Sequence, residues 1–118
     1  MPSSPEPRAG EVWNVDFSPQ VGNEQAGIRP ALVISNDEFN TMRHNLRIVV
    51  PTTGTIRGLP NQVVVEPPEG GLTKVSVLMC EQVKSQSVAR FLGKRGEVRP
   101  ETLERVRRIT GLFIQDTP

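Results

Sequence analysis

Between residues 12 and 17, apolar and polar side chains alternate: Trp13, Val15 and Phe17 are separated by Asn14 and Asp16. Successive side chains of a strand point to opposite faces, so this period of two predicts a half-buried strand, which Ser18-Pro19 ends. The segment from Gln20 to Gly27 is largely polar and holds two glycines, which predicts a mobile loop. It leads into the apolar run Ala31-Leu32-Val33-Ile34 and so joins two strands. Further strands are expected at Leu46 to Val50, Gln62 to Val65 and Val75 to Cys80. The segments between them carry Gly54, Gly58, Pro60, Pro67, Pro68, Gly70 and Gly71, residues that favour turns. Short strands punctuated in this way imply a mainly β fold, a compact antiparallel barrel with a C-terminal helix. That helix opens at Pro100 and Glu101, both suited to a first turn, and sets Leu103, Val106, Ile109 or Thr110, and Phe113 on one face. Glu104 and Arg108 add a favourable i,i+4 pair, and the helix is expected to pack on the barrel without taking part in chemistry.

The chain of 118 residues is long enough to bury one core without a disulfide or structural metal. Residues 1–8 are rich in proline and serine and are expected to be a disordered lead-in, followed by a single domain over 9–118. Aromatic residues make up only 4% of the chain and tyrosine is absent, so Val, Ile and Leu must build the core, joined by Trp13 and Phe113. A formal charge of +1 excludes a broad basic surface, so any anion site must be local. Basic residues gather at Arg90, Lys94, Arg95 and Arg99 and again at Arg105, Arg107 and Arg108, a pattern expected of a solvated helix face or rim. The lone Cys80 lies in the apolar run Val77-Leu78-Met79, which suggests a core residue in a reducing compartment. With neither a signal-like N-terminus nor a long apolar run, the chain is expected to be cytoplasmic.

Several chemistries are excluded by what is missing. The single histidine, His44, rules out a two-histidine acid/base pair within one chain. No Cys/His spacing suits zinc, and Asp37-Glu38 lacks the further carboxylates of a two-metal site, so neither metal nor cofactor is expected. Gly70-Gly71 precedes a strand and not a helix, unlike a nucleotide-binding loop. Three polar groups at strand ends remain: Gln25 to Pro30, Pro51 to Gly54, and Cys80-Glu81-Gln82. Taken by itself, Arg29 ahead of Pro30 is an ordinary strand-entry residue able to pair with Glu24.

The run Val12-Trp13-Asn14-Val15-Asp16-Phe17-Ser18-Pro19, then Gly22, Glu24, Gln25, Ala26 and Gly27, then Arg29 to Ser35, resembles the opening of MazF/PemK toxins. Val50 to Thr53, Gly58-Leu59-Pro60, Gly71-Leu72, Glu81 to Ser85 and Gly96-Glu97-Val98 are similar to the family's later blocks, in the same order. The resemblance implies an SH3-like barrel shared with the CcdB and Kid toxins, and a homodimer. It implies metal-independent, sequence-specific cleavage of single-stranded RNA that leaves a 2′,3′-cyclic phosphate and a 5′-hydroxyl and so inhibits translation and growth. A MazE-like antitoxin that occludes the site is implied too. Carried over by motif are Arg29 and Thr53, with Glu81 where the family often has Asp.

Such cleavage uses the RNA's own 2′-hydroxyl, so the enzyme must align it, take its proton, neutralise charge on phosphorus and protonate the leaving oxygen. The Arg29 guanidinium can grip two phosphoryl oxygens, and Thr53 can donate to the same phosphate from a restricted rotamer. Arginine is a poor base near neutrality, which leaves Glu81 as the candidate to help with the proton. Base reading falls to Glu24, Gln25, Asn36, Asn40, Thr52 and Gln82, since single-stranded bases expose their hydrogen-bonding edges. Phe17 is expected beside the RNA channel or at the dimer interface. A CcdB-like gyrase poison and a non-catalytic SH3-like module are the alternatives, and cleavage of RNA without gyrase separates them.

Overall fold

The computed structural model describes residues 5–18, 22 and 27–116, so Glu24 and Gln25 lie outside the described residues. In chain order the elements are β1 (Glu11–Asp16), β2 (Ile28–Val33), α1 (Asp37–Asn40), β3 (Leu46–Thr53), β4 (Gln62–Val65), β5 (Ser76–Met79), β6 (Lys84–Ser87), β7 (Phe91–Glu97) and α2 (Pro100–Leu112). All strand pairs are antiparallel, along the path β4-β5-β3-β2-β1-β7, with β6 also pairing β3. The eight-residue β3 joins two sheets: Ile48 opposes Ser85 of β6, while Thr52 opposes Leu78 of β5. The strands curl because β3 must face β6 and β5 at its two ends, which yields the compact antiparallel architecture with a C-terminal helix that the alternation implied.

Curling buries both faces of β1, β2 and β3. Val12, Leu32 and Val50 pack with Val65, Leu78, Cys80 and the helix residue Val106. On the opposite face, Val15, Ala31, Val33 and Val49 pack with Phe17 and Phe91. The alternation of Trp13, Val15 and Phe17 marks only the second of these faces, with Trp13 half-buried and edge-on to Phe91 at 6.0 Å. Cys80 is fully buried and free, as its apolar neighbours suggested.

Helix α2 lacks a side-chain cap of its own at Arg99. Glu69, thirty residues upstream, supplies one: its Oε2 accepts from Arg99 N at 3.0 Å and from Thr102 Oγ1 at 2.6 Å. The buried positions of α2 are Thr102, Val106 and Thr110, and the Thr110 hydroxyl donates back to Val106 O at 3.0 Å. Phe113, expected in the core, is instead 49% exposed, because the helix ends at Leu112 and Phe113 is its C-cap.

Three elements were not anticipated. Helix α1 is a single turn capped by Asn36 Oδ1, which accepts from Phe39 N at 3.0 Å. Strand β6, Lys-Ser-Gln-Ser, has almost no apolar signal, and β7 carries Gly93, Lys94, Arg95 and Gly96. The basic residues at 94 and 95 therefore belong to a strand paired with β1, not to a helix face. Residues 5–8, expected within a disordered lead-in, include a buried Pro7 whose carbonyl accepts from Arg47 Nε at 2.7 Å. Among the described residues, no helix is long and apolar enough to cross a membrane.

Candidate active site

Arg29 is the second residue of β2, where Ala31 opposes Pro51 of β3. Continuing that antiparallel register sets Arg29 opposite Thr53. Adjacent strand ends thus bring the two together from distant parts of the sequence. Arg29 Nη1 donates to Thr52 O at 3.0 Å, which anchors one arm of the guanidinium to the strand beside it.

Thr52 and Thr53 then divide their roles by the pleat. Thr52 is buried and its Oγ1 donates to Pro30 O at 2.8 Å, so its hydroxyl proton is spent within the fold. Thr53 is half-buried, and its Oγ1 accepts from Thr55 N at 3.3 Å. A hydroxyl has one proton as well as two acceptor positions, so Thr53 Oγ1 retains a proton to give to a ligand.

Two neighbouring cavities share Thr53. The first, of about 260 Å³, is lined by Arg29, Thr52, Thr53, Thr73, Lys74, Ser76 and Arg95 together with apolar residues and glycine, and no carboxylate among the described residues lines it. It suits an anion. The second, of about 530 Å³, is lined by Thr53, Thr55, Arg57, Leu59, Gln62, Met79, Glu81 and Gln82. Its mixed donors and acceptors suit the edge of a nucleobase. Glu81 is exposed there, and its Oε1 accepts from Asn61 Nδ2 at 2.5 Å. Arg29 and Glu81 therefore stand on either side of Thr53, in adjoining cavities.

Other expected site residues lie elsewhere. Phe17 is only 3% exposed and packs within the core face of Val15 and Val33, with Lys84 Nζ 5.9 Å from its ring centroid. Buried in this way, it offers no face on which a base could stack. Asn40 is buried and bonded to Ser35 at both ends of its amide, accepting from Ser35 Oγ and donating to Ser35 O. Asn36 caps α1 and lines a separate cavity with Arg8, Glu11 and Arg107. Thr52 lines the Arg29 cavity but has no free hydroxyl proton.

The sequence reading missed Arg57, Asn61, Lys74 and Arg95 as neighbours of the site. The basic pair at 94 and 95 was visible, but without β7 nothing indicated that Arg95 would line the Arg29 cavity. Among the described residues, no group of three or more His, Cys, Asp or Glu side chains is placed to hold a metal ion.

Comparison with known proteins places the chain in a family. Over 102 residues the chain is 37% identical to the endoribonuclease toxin MazF of Escherichia coli strain K12, covering 86% of this chain and 87% of that protein. A crystal structure of MazF from Deinococcus radiodurans superposes with a TM-score of 0.80 at 29% identity, covering 92% of this chain and 96% of the other. A crystal structure of MazE-MazF from the same organism gives a TM-score of 0.73 at 30% identity, with the same coverage. Residues 8–113 match the family described as PemK-like, MazF-like toxin of type II toxin-antitoxin system. This chain belongs to the PemK-like, MazF-like family of toxins of type II toxin-antitoxin systems.

Proposed function

We propose that the chain is the toxin of a toxin-antitoxin pair and acts as a metal-independent endoribonuclease on single-stranded RNA in the cytoplasm. The observation that carries this reading is the meeting of Arg29 and Thr53 in one cavity that no carboxylate of the described residues lines. Such a cavity favours a phosphodiester over a protein side chain or a neutral ligand. The family match and the endoribonuclease name of the Escherichia coli relative support it further. They give no support to a gyrase poison.

In the proposed reaction the RNA 2′-oxygen attacks the adjacent phosphorus. The P–O2′ bond forms, the P–O5′ bond breaks, and the leaving O5′ takes a proton from water, which gives a 2′,3′-cyclic phosphate and a 5′-hydroxyl. Arg29 stabilises the extra charge on the phosphoryl oxygens, with one arm already fixed by Thr52 O, so little reorganisation is needed in the transition state. Thr53 donates its free hydroxyl proton to the same phosphate and holds the RNA between the two cavities. Glu81 lies on the base side of Thr53, where its carboxylate can take the 2′ proton. Gln82 and Arg57 line the same cavity and read the base edge.

A homodimer is part of this reading, and so is a cognate antitoxin that covers the Arg29 cavity. The test uses purified protein, synthetic single-stranded RNA and a chelator, with no gyrase present. Cleavage to cyclic-phosphate ends is expected, and Arg29→Ala is expected to lower the rate by about 10²–10³ while the fold is retained. Intact RNA with the wild-type protein, or wild-type rates with Arg29→Ala, would overturn the reading.

A further inference from the structure

We propose that Arg95 and Lys74 form a second cationic wall of the Arg29 cavity and grip the phosphodiester next to the one that is cut. The inference rests on the RNA-cleaving reading and extends it to substrate positioning. Arg29, Lys74 and Arg95 all line one cavity of about 260 Å³ that no carboxylate among the described residues lines. The scissile phosphate carries one negative charge and is assigned to Arg29, which leaves Lys74 and Arg95 for another anionic group. An RNA strand supplies further charge only through its neighbouring phosphates.

The partners of Arg95 favour a binding role over a structural one. Its Nε and Nη2 donate to Gly71 O at 3.4 and 3.3 Å, and its Nη1 donates to Asn14 Oδ1 at 3.4 Å. These are long bonds to neutral acceptors. Nearby basic residues differ: Lys94 pairs with Glu11 at 3.1 Å, Arg99 with Glu69 at 3.4 Å and Arg108 with Glu104 at 3.6 Å. Among the described residues, neither Arg95 nor Lys74 has a carboxylate partner. A phosphate would exchange neutral acceptors for charge-assisted ones, which are shorter and about twice as strong.

Arg95 is also placed on a rigid base. The 3-10 turn Glu69–Gly71 crosses β7 so closely that a Cβ at Gly71 would lie 1.9 Å from Arg95 O, and one at Gly96 would lie 2.6 Å from Gly71 N. Backbone thus presses on backbone at the Arg95 carbonyl and at Gly96, and the Arg95 side chain leaves from a fixed point. A guanidinium held in this way loses little freedom when it binds. Lys74 is exposed and contributes charge without geometric demands.

The experiment measures kcat and KM on a synthetic RNA that contains a cleavage site mapped with the wild-type protein, across a series of potassium chloride concentrations. Arg95→Ala and Lys74→Ala are each expected to raise KM by about tenfold, with kcat less affected. Each is also expected to flatten the slope of log kcat/KM against log salt by about 0.7, the counterion-release value for one single-strand phosphate contact. Arg95→Lys should keep the wild-type slope, and Arg95→Gln should lose it. A purely structural Arg95 would lower thermal stability and leave the slope unchanged in Arg95→Gln. Lys74→Ala touches no buried contact, so it tests the wall even if Arg95→Ala folds poorly. Wild-type slopes in Arg95→Gln and Lys74→Ala, on RNA that the wild-type protein cuts, would overturn the proposal alone. RNA left uncut by the wild-type protein would overturn the underlying function as well.

Discussion

Arg29 and Thr52 hold each other in place across β2 and β3: Arg29 Nη1 donates to Thr52 O at 3.0 Å, and Thr52 Oγ1 donates to Pro30 O at 2.8 Å. The second bond locks the carbonyl that receives the first. Thr52 therefore serves the site from within the fold, while Thr53, one residue later, turns its hydroxyl toward the cavities. Two adjacent threonines with the same chemistry acquire different roles because successive strand residues face opposite ways.

That division sets up a paired test. Thr52→Val keeps the shape but removes the hydroxyl that donates to Pro30 O, and is expected to lower the unfolding free energy by about 1 kcal/mol in urea. Its cleavage rate per folded molecule should remain within a few-fold of wild type. Thr53→Val should change stability by less than about 1 kcal/mol. It is expected to lower cleavage by about 10²-fold, the scale for one preorganised donor. The opposite pattern would reverse the roles assigned to the two residues.

The barrel was legible because the apolar runs at 31–34, 46–50, 62–65 and 75–80 each carry turn residues at their ends. The strands that escaped notice, β6 and β7, are held by backbone ladders to β3 and β1, and their side chains are mostly polar. Periodicity sees side chains, and a ladder leaves no mark on them. The same limit explains Arg95, which reaches the site only because β7 pairs β1. Phe17, expected beside the RNA channel or at the dimer interface, shows how curling acts on the alternation: both faces of the sheet are covered and its ring packs inside. Arg29 and Thr53 were identified through motif resemblance, and register places them opposite each other.

Cys80 offers a pH-dependent measure of the core. Burial, aided by the neighbouring Glu81 charge and partly offset by Arg105, pushes its thiol from 9.0 up to about 11. Above pH 9 the unfolded chain releases this proton while the folded chain keeps it. Fewer protons are then bound in the unfolded state, so stability falls as pH rises between about 9 and 11. Below pH 9 the two states hold the proton alike and the contribution is constant. Chemical denaturation across this range is expected to show a decline that Cys80→Ala removes, whatever Cys80→Ala costs at neutral pH. The same burial predicts that iodoacetamide leaves Cys80 unmodified in the native protein at pH 8 and alkylates it in urea. Rapid native labelling, seen by mass spectrometry, would contradict the placement.

The crossing of the 69–71 turn with β7 links stability to the site, and Gly71 is where the two can be separated. Its φ of +67° lies in the left-handed region, where an alanine costs roughly 1–2 kcal/mol. A Cβ there would also stand 1.9 Å from Arg95 O, a backbone atom that no rotamer change can move aside. Gly71→Ala should therefore exceed the left-handed cost and lower stability by more than about 2 kcal/mol. Gly93, on the same strand, has nothing within 4 Å of a Cβ, and Gly93→Ala is expected to leave stability unchanged or raise it by up to about 1 kcal/mol. A shift that relieves the Gly71 clash moves either Arg95 or Gly71 O, the carbonyl to which Arg95 Nε and Nη2 donate, and so changes how Arg95 is seated. The folded fraction of Gly71→Ala should then show the flattened salt dependence of Arg95→Gln, whereas Gly93→Ala keeps the wild-type slope. Loss of stability with an unchanged slope would mean that the crossing supports the barrel without setting the position of Arg95.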